Sequence, residues 1–290
     1  MNRRNFLQRA AFGTGLFLPI SSLFLGKNAK GASAPSQTPP LSANDVALAT
    51  IATNQEYLQN EYYLRVLTGT GLSAQDTSGL GPAGTVLAPK VNPLKFNNPT
   101  IKAIAEQLAQ DELAHLRIIR NSFTSFGLTP PARPTIDLES SFQTLAETAG
   151  IDRRFNPFES ETDFLLVGFF LEQIDGPTLT GGIDVLENAT LRSTAVSLLG
   201  DETSHNGSIR VALAQEKLID DANKIAALSQ KLVSSAQTII HPLFDGRLLL
   251  SPVGDDGIVA PLNPRQFLNI VYLSINANAG GFYPNGLNFA

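Results

Sequence analysis

The chain has 290 residues, of which 43% are hydrophobic and 16% charged, and its formal net charge is −5. This composition is typical of a globular protein that buries a core, and it excludes a collagen-like or disordered chain. Cysteine is absent from the sequence, which excludes disulfide bonds, thiolate metal sites and thiol catalysis.

Residues 1–34 have the features of an export signal. The adjacent Arg3 and Arg4 resemble the twin-arginine export signal of bacteria. The apolar stretch 10–25 is short and broken by glycine and proline, so it is not predicted to span a membrane, and the small residues 32–34 offer a cleavage site. We therefore expect the twin-arginine export machinery to deliver the protein to the periplasm or the medium, with an ordinary secretory signal as the alternative.

The rest of the chain is acidic. Without the five basic residues of the signal, 16 basic side chains face 26 acidic ones, a net charge of −10. No basic stretch remains that would follow a phosphate backbone, so we expect no nucleic-acid partner. Residues 35–41 are rich in proline and serine and predict a short linker. The mature chain is predicted to have no integral membrane span, and a homo-oligomer is compatible with its sequence.

Two long helices are predicted in the first half of the body. Ser42 followed by Asp45 is a capping-box pattern that begins the first helix, and Gly69 ends it. The glycine- and proline-rich residues up to 98 predict an irregular loop. The second helix spans 99–125 and has one face that is apolar except for a glutamate and a histidine. A proline-rich break and a crossover with some helix around 141–148 follow.

The third predicted helix starts near Ser160 and contains eight successive residues without a polar side chain, 164–171, which indicates a helix buried on all sides. Glu172 follows directly, and burying its carboxylate is costly unless it is paired or bound to metal. The alternative is that Glu172 lies just outside the buried stretch and is hydrated. Gly176-Pro177 predicts a kink and Gly181-Gly182 the end of the helix.

A fourth helix is predicted over 184–217, with a weak point at Gly200, and a fifth over 220–240. The helical bundle is therefore expected to occupy 42–240. Residues 241–290 are rich in proline and glycine and are expected to wrap the bundle as a C-terminal extension. His241 has no acidic neighbour in suitable spacing, and we interpret it as structural.

One short pattern, Glu-x-x-His, occurs twice and uses two of the three histidines: Glu112 with His115, and Glu202 with His205. Positions i and i+3 lie on one face of a helix about a turn apart, so both side chains can reach one metal ion. A single copy is more often a solvated helix face. Two copies favour a metal site.

Four predicted helices now each supply candidate ligands. Two single glutamates with two Glu-x-x-His motifs are the ligand pattern of ferritin-like di-iron and di-manganese carboxylate proteins. The predicted fold is therefore all-α, a ferritin-like four-helix bundle with a long crossover, an extra helix and an irregular C-terminal tail. The candidate metal ligands are Glu56 or Glu61 in the first helix, with Glu112, His115, Glu172, Glu202 and His205.

The chain resembles the exported ferritin-like domain family, which includes proteins related to plant desiccation-associated proteins. The resemblance covers most of residues 42–290. The segments that carry it are Asn54-x-Glu-Tyr-Leu-x-x-Glu-Tyr-Tyr63, Glu112-x-x-His115, Phe170-Leu-Glu172, Asp201-Glu-Thr-Ser-His205 and Gly281-Phe-Tyr-Pro-Asn-Gly-Leu-Asn288.

The ferritin-like pattern leaves a choice in the first helix. Members of the superfamily often have a tyrosine seven residues after the first glutamate, and Tyr63 stands at that distance from Glu56. The resemblance therefore favours Glu56 as the ligand, with Glu61 as the alternative. The corresponding position after Glu172 is Leu179, which weakens any expectation of redox tyrosine chemistry on that side.

The negative charge of the candidate ligands indicates that they bind metal cations. Four carboxylates in a dry core carry a charge of −4, which two divalent cations neutralise. Oxygen and imidazole donors without sulfur suit iron or manganese, and zinc less selectively. Glutamates that bridge two ions hold them about 3.5–4 Å apart, a separation useful for two-metal chemistry.

Three interpretations in different functional classes follow. The first is an exported di-metal oxidoreductase that acts on oxygen or peroxide. The second is a metal-binding or stress- and desiccation-protective protein of the same fold without turnover. The third is a bundle without metal, whose carboxylates pair with arginines such as Arg117 or Arg210. The complete six-ligand set disfavours the third, and the long insertions disfavour a closed ferritin-type storage shell.

Overall fold

The computed structural model describes residues 40–151 and 153–289. The predicted signal and most of the predicted linker lie outside the described residues. The described chain is mostly helical, which confirms the predicted all-α class. Its elements are α1 (Ala43–Thr68), α2 (Ala74–Thr77), β1 (Val86–Leu87), α3 (Pro99–Ser125), β2 (Ile136–Asp137), α4 (Ser140–Ala149), α5 (Glu161–Ile183), α6 (Ala189–Gln215), α7 (Ile219–Val233) and α8 (Pro264–Val271).

Four long helices, α1, α3, α5 and α6, form a bundle in which α1 packs on α3, α5 on α6, and α3 on α6. The crossover from α3 to α5 carries β2 and α4, and β2 pairs in parallel with β1 from the loop before α3. At the N-terminus of a helix the first backbone N–H groups lack helical partners, and capping side chains accept from them. Ser42 and Asp45 form the predicted capping box of α1. Asn98 and Asn188 cap α3 and α6.

Helix α5 packs against α6, α7 and α8. Its apolar run, 164–171, is buried on all sides, which confirms the prediction from its composition. Full burial of a large apolar side chain is worth about 1.5–3 kcal/mol, so this run anchors the core. Glu172 continues the buried stretch at 1% exposure and is not hydrated at its end.

Several predicted helix boundaries are wrong. Helix α5 runs through Pro177 and both glycines to Ile183. Gly181 does not end the helix; it gives room for the backbone of Leu262, whose carbonyl oxygen would lie 1.9 Å from a Cβ at this position. Helix α6 begins at Ala189, five residues after the predicted start, because Asn188 caps it, and it is continuous through Gly200.

The fifth predicted helix also ends early. Helix α7 stops at Val233, because Ser234 takes a left-handed conformation with φ 54°. The side chain of Gln230 then accepts from the backbone N–H groups of Ile239 and Ile240, at 2.9 and 3.0 Å, and donates to the carbonyl of Gln237. These side-chain bonds satisfy backbone groups that a continued helix would have paired.

The C-terminal residues pack on α1 at Asn54, two positions before Glu56. The hydroxyl of Tyr283 donates to the carbonyl of Asn54 at 2.7 Å, and the Asn54 amide donates to the carbonyl of Asn288 at 2.8 Å. These contacts fix the first-helix segment that carries Glu56. Within the described ranges no helix is long and apolar enough to cross a membrane.

Candidate metal centre

The structure brings all six sequence-predicted ligands together in the middle of the bundle, each at most 5% exposed. They form two overlapping groups, and within each group one potential ligand atom per residue lies within 4.8 Å of the others. Glu112 and Glu202 belong to both groups. One group is completed by Glu56 and His115, and the other by Glu172 and His205. The two groups therefore share two carboxylates, and each could hold a metal ion.

Each histidine directs Nδ1 into the centre and faces the glutamate of the opposite motif. His115 Nδ1 lies 2.9 Å from Glu202 Oε1 and 3.4 Å from Glu112 Oε2. His205 Nδ1 lies 3.1 Å from Glu112 Oε1 and 3.4 Å from Glu172 Oε2. The two imidazole rings are 6.0 Å apart between centroids. Both motifs therefore converge across the α3–α6 contact.

The donor atoms of the centre lack hydrogen bonds. Of the buried side-chain oxygen and nitrogen atoms without a hydrogen-bond partner among the described residues, seven belong to the six candidate ligands, despite the short separations between them. A buried polar atom without a partner costs about 1–3 kcal/mol, and more if it is charged. These donors suit a divalent metal ion, so the residues present fit the two metals that the sequence predicts. The atoms are Glu56 Oε2, both Glu112 oxygens, Glu172 Oε2, Glu202 Oε2 and the Nδ1 atoms of His115 and His205.

Two aspartates support the histidines from outside the centre, and sequence reasoning missed both. His115 Nε2 lies 3.2 Å from Asp201 Oδ2, and His205 Nε2 lies 3.3 Å from Asp111 Oδ2. Each aspartate therefore holds the histidine of the opposite helix. Outer carboxylates of this kind fix the orientation of metal-binding histidines. The available signal was the aspartate that directly precedes the glutamate in each motif, Asp111 before Glu112 and Asp201 before Glu202.

Two polar side chains of α1 hydrogen-bond to Glu172. Its Oε1 accepts from Tyr63 at 2.5 Å and from the Gln59 amide at 3.1 Å. The same amide donates to buried Asp175 at 3.0 Å. Gln59 and Asp175 were also missed, although each lies three residues after a candidate ligand, Glu56 or Glu172. Tyr63, chosen for its spacing from Glu56, reaches the glutamate of α5 instead.

Burial or neighbouring charges raise the pKa of four groups in and beside the centre. Burial and the charge of Glu112 raise the pKa of Glu172 to about 8 and raise the pKa of Glu56 well above its ordinary value. Burial lowers the pKa of His115, but the carboxylates of Glu112 and Glu202 outweigh this and raise it to about 10. Burial and nearby Glu202 also raise the pKa of Asp175.

The alternative ligand and the alternative ion pairs lie elsewhere. Glu61 is fully buried but is paired with Arg65 and Arg133. Arg117 pairs with Asp76 of α2 at 2.9 Å, and Arg210 binds carbonyl oxygens of the C-terminal extension. In the described part of the chain no arginine pairs with the four candidate glutamates, so the structure disfavours the metal-free interpretation that invoked Arg117 and Arg210.

Leu179 and His241, the two remaining residues singled out in the sequence, take no part in the centre. Leu179 packs in an apolar cluster with Ile119 and Phe123 at one end of the bundle. His241 lies in the C-terminal extension, where its carbonyl accepts from Arg210 at 2.8 Å.

A four-helix bundle with a long crossover between its second and third helices, and with buried glutamates and histidines at its middle, defines the class of ferritin-like proteins. The family model described as a ferritin-like domain matches residues 44–215, which run from the first turn of α1 to the end of α6. The chain belongs to this family, as the sequence motifs predicted.

A curated relative is the desiccation-related protein PCC13-62 of Craterostigma plantagineum. It is 26% identical over 205 residues, which are 65% of this chain and 62% of the relative. The chain thus spans less than two thirds of the relative's length. No solved structure matches the chain.

Asp201→Asn is expected to weaken metal binding about 10- to 100-fold, the usual effect of losing an outer partner of a metal-binding histidine. Asp201 is the better choice of the two aspartates, because its Oδ2 lies near both histidines, 3.2 Å from His115 and 3.6 Å from His205. A competition titration against a chelator measures the change. Exposed Asp184 lies between α5 and α6, and Asp184→Asn is the control for loss of one negative charge. Equal affinities of the two variants would contradict the role given to Asp201.

Proposed function

We propose that the protein binds two divalent metal ions, iron or manganese, at the six buried residues. Glu56, Glu112, His115 and Glu202 would hold one ion, and Glu112, Glu172, Glu202 and His205 would hold the other. The observation that carries the proposal is the set of seven buried donor atoms that have no partner in the described protein and converge on one place. When bound, such a pair of ions supplies redox chemistry toward dioxygen or peroxide.

The chain's own residues would serve this centre in distinct ways. Asp111 and Asp201 orient the two imidazoles. Tyr63 and Gln59 hold one oxygen of Glu172, which leaves its other oxygen, unpartnered among the described residues, to hold an ion. The apolar run of α5 keeps water from the centre, and this strengthens the interaction between the carboxylates and a cation.

Elemental analysis is the direct test of the proposal. The full chain, loaded with ferrous iron or manganese and then desalted, is expected to retain two ions per chain. Zinc loaded in the same way measures how selective the centre is. A loaded sample that retains no metal would overturn the proposal.

Metal binding is expected to release protons and to strengthen as pH rises from about 6 to 8. The raised pKa values of Glu172 and His115 mean that both hold a proton at neutral pH in the metal-free protein. A metal ion requires both groups without that proton, so acid competes with the metal. Titration calorimetry in two buffers of different ionisation enthalpy measures the protons released. Binding that is independent of pH across this range would contradict the charge assignment.

The function of the loaded protein has two candidates. One is an oxidoreductase acting on oxygen or peroxide. The other, which the name of the Craterostigma relative supports, is protection under stress or desiccation without turnover. Catalase and oxidase assays on the loaded protein separate them. A protective role predicts that the chain preserves a test enzyme through drying while these assays show no activity.

We also propose export through residues 1–34, supported by the paired arginines and the small-residue site that ends at Ala34. The mature protein would then lie in the periplasm or the medium. N-terminal sequencing of the exported protein tests this proposal. A start at Met1 would overturn it.

A further inference from the structure

An apolar cavity of about 70 Å³ lies at one end of the bundle, and its wall includes residues from all four long helices. Three of its lining residues stand four positions from candidate ligands: Ala52 from Glu56, Ile119 from His115, and Leu198 from Glu202. Four positions are about one helical turn, which rises 5.4 Å. Glu56 and His115 belong to one candidate ligand group only, and Glu202 is shared by both groups. The cavity is therefore adjacent to the Glu56–His115 half of the centre.

The two halves of the centre differ in what lies beyond them. Beyond the Glu172 half, Tyr63 occupies the space and binds Glu172, with its ring 5.3 Å from that of Tyr62 and 6.1 Å from that of Phe164. The corresponding position in α5 is Leu179, which has no hydroxyl and lines the cavity. One end of the bundle is thus filled by aromatic rings, whereas the other is partly hollow.

Glu56 also has more freedom than Glu172. The Oε2 atoms of both residues lack a hydrogen-bond partner, but Glu172 Oε1 accepts from two donors, whereas no hydrogen bond to the Glu56 side chain is found among the described residues. A small molecule arriving from the cavity would meet the half of the centre whose carboxylate is not held in place.

The lining of the cavity is unsuited to water. Of its three hydroxyl groups, those of Ser122 and Thr194 donate to the carbonyls of Ile118 and Thr190, one turn back. The third, Thr178 Oγ1, has no partner among the described residues, and one free hydroxyl is fewer than the two to four partners that a buried water needs. Its volume is roughly half that of the ~150 Å³ engineered apolar cavity that stays dry and binds benzene or xenon. Half of its lining residues are partly exposed, so the cavity opens to the surface.

We propose that this cavity binds a small apolar molecule of about the size of dioxygen and presents it to the Glu56–His115 half of the centre. The binding itself depends only on the shape and apolarity of the cavity. The second clause rests on the proposed metal function.

Xenon is the probe, and ¹²⁹Xe NMR of the metal-free full chain is the measurement. The wild-type chain is expected to give a xenon shift that saturates with pressure. Ala52→Leu places a larger side chain in the cavity and should lose the saturable shift. Ala103→Leu makes the same change at an exposed position of α3 and should retain it. Ala195→Val, also in the lining, replaces the first variant if that one fails to fold.

Loading the wild-type chain with Co²⁺ tests the position of the cavity. Paramagnetic ions about one helical turn away should broaden the bound-xenon signal, whereas Zn²⁺ should not. If the chain binds no metal, the result on the metal-free protein remains readable, so failure of the metal proposal is distinguished from failure of this one. A wild-type shift that does not saturate, or one unchanged in Ala52→Leu, would overturn the cavity site. Saturable binding with no broadening in a chain that holds Co²⁺ would overturn its place beside the centre.

Discussion

Glu112→Gln is expected to lose both metal ions, so that the loaded chain retains close to none instead of two. Glu112 belongs to both ligand groups, and neither of its oxygens has a hydrogen-bond partner among the described residues. Glutamine keeps the size of the side chain but removes its negative charge and replaces one oxygen with an NH2 group, which cannot coordinate a cation. Elemental analysis after loading and desalting measures the result.

Glu61→Gln is the matched control, because Glu61 is also fully buried but is paired with Arg65 and Arg133. It should retain two ions. Glu56→Gln gives an intermediate case, since Glu56 belongs to one group only and should lose one ion. Two ions retained by Glu112→Gln, or ions lost from Glu61→Gln, would show that the ligands have been assigned wrongly.

The candidate ligands could be predicted because their spacing follows helix geometry. Glu112 with His115 and Glu202 with His205 repeat a one-turn spacing. Glu172 follows a run of eight residues that have no polar side chain to pair with its carboxylate. The structure places these five residues and Glu56 together. Local spacing was sufficient here, because each helix presents its ligands on the face that meets its neighbours.

The choice between Glu56 and Glu61 could not be made from helix periodicity. The two residues are five positions apart and thus lie on different faces, but α1 is buried on nearly all sides between Thr53 and Tyr63, although many of its residues there are polar. No apolar stripe indicates which face meets the centre. The resemblance to ferritin-like proteins supplied that choice.

Features that depend on distant segments were missed for a different reason. The backbone of Leu262, 81 positions along the chain, lies in the space that a side chain at position 181 would need. The roles of Asp111 and Asp201 depend on α3 lying beside α6. A local pattern carries no signal for such contacts. Arg210 is a further example of such a contact. The sequence analysis considered it as a partner for the buried carboxylates, but in the structure it donates to carbonyl oxygens of the C-terminal extension.

Arg210→Met is expected to lower the free energy of unfolding by about 3 kcal/mol or more, since a hydrogen bond to a charged group is worth about 1.5–3 kcal/mol. The buried guanidinium donates to the carbonyls of His241, Pro242 and Leu249, at 2.8 to 3.0 Å, and to the Asn206 side chain at 2.6 Å. Burial lowers the pKa of Arg210 only to about 10, so it is charged at neutral pH. Methionine has a similar length but leaves these oxygens without donors.

Thermal unfolding of the metal-free protein should show this loss as a decrease in Tm of about 6–12 °C, from roughly 2–4 °C per kcal/mol for a chain of this size. Because Arg210 holds the backbone on both sides of Arg247, trypsin should also cut the variant faster after Arg247. Arg192→Met changes an exposed arginine of the same helix and should leave both readouts near the wild-type values. Equal Tm values for the two variants would mean that the segment around Arg247 is held by its apolar contacts and not by the guanidinium. Metal content should be unchanged in Arg210→Met, since the hydrogen bonds of Arg210 within the described protein run to Asn206 and the extension and not to the candidate ligands.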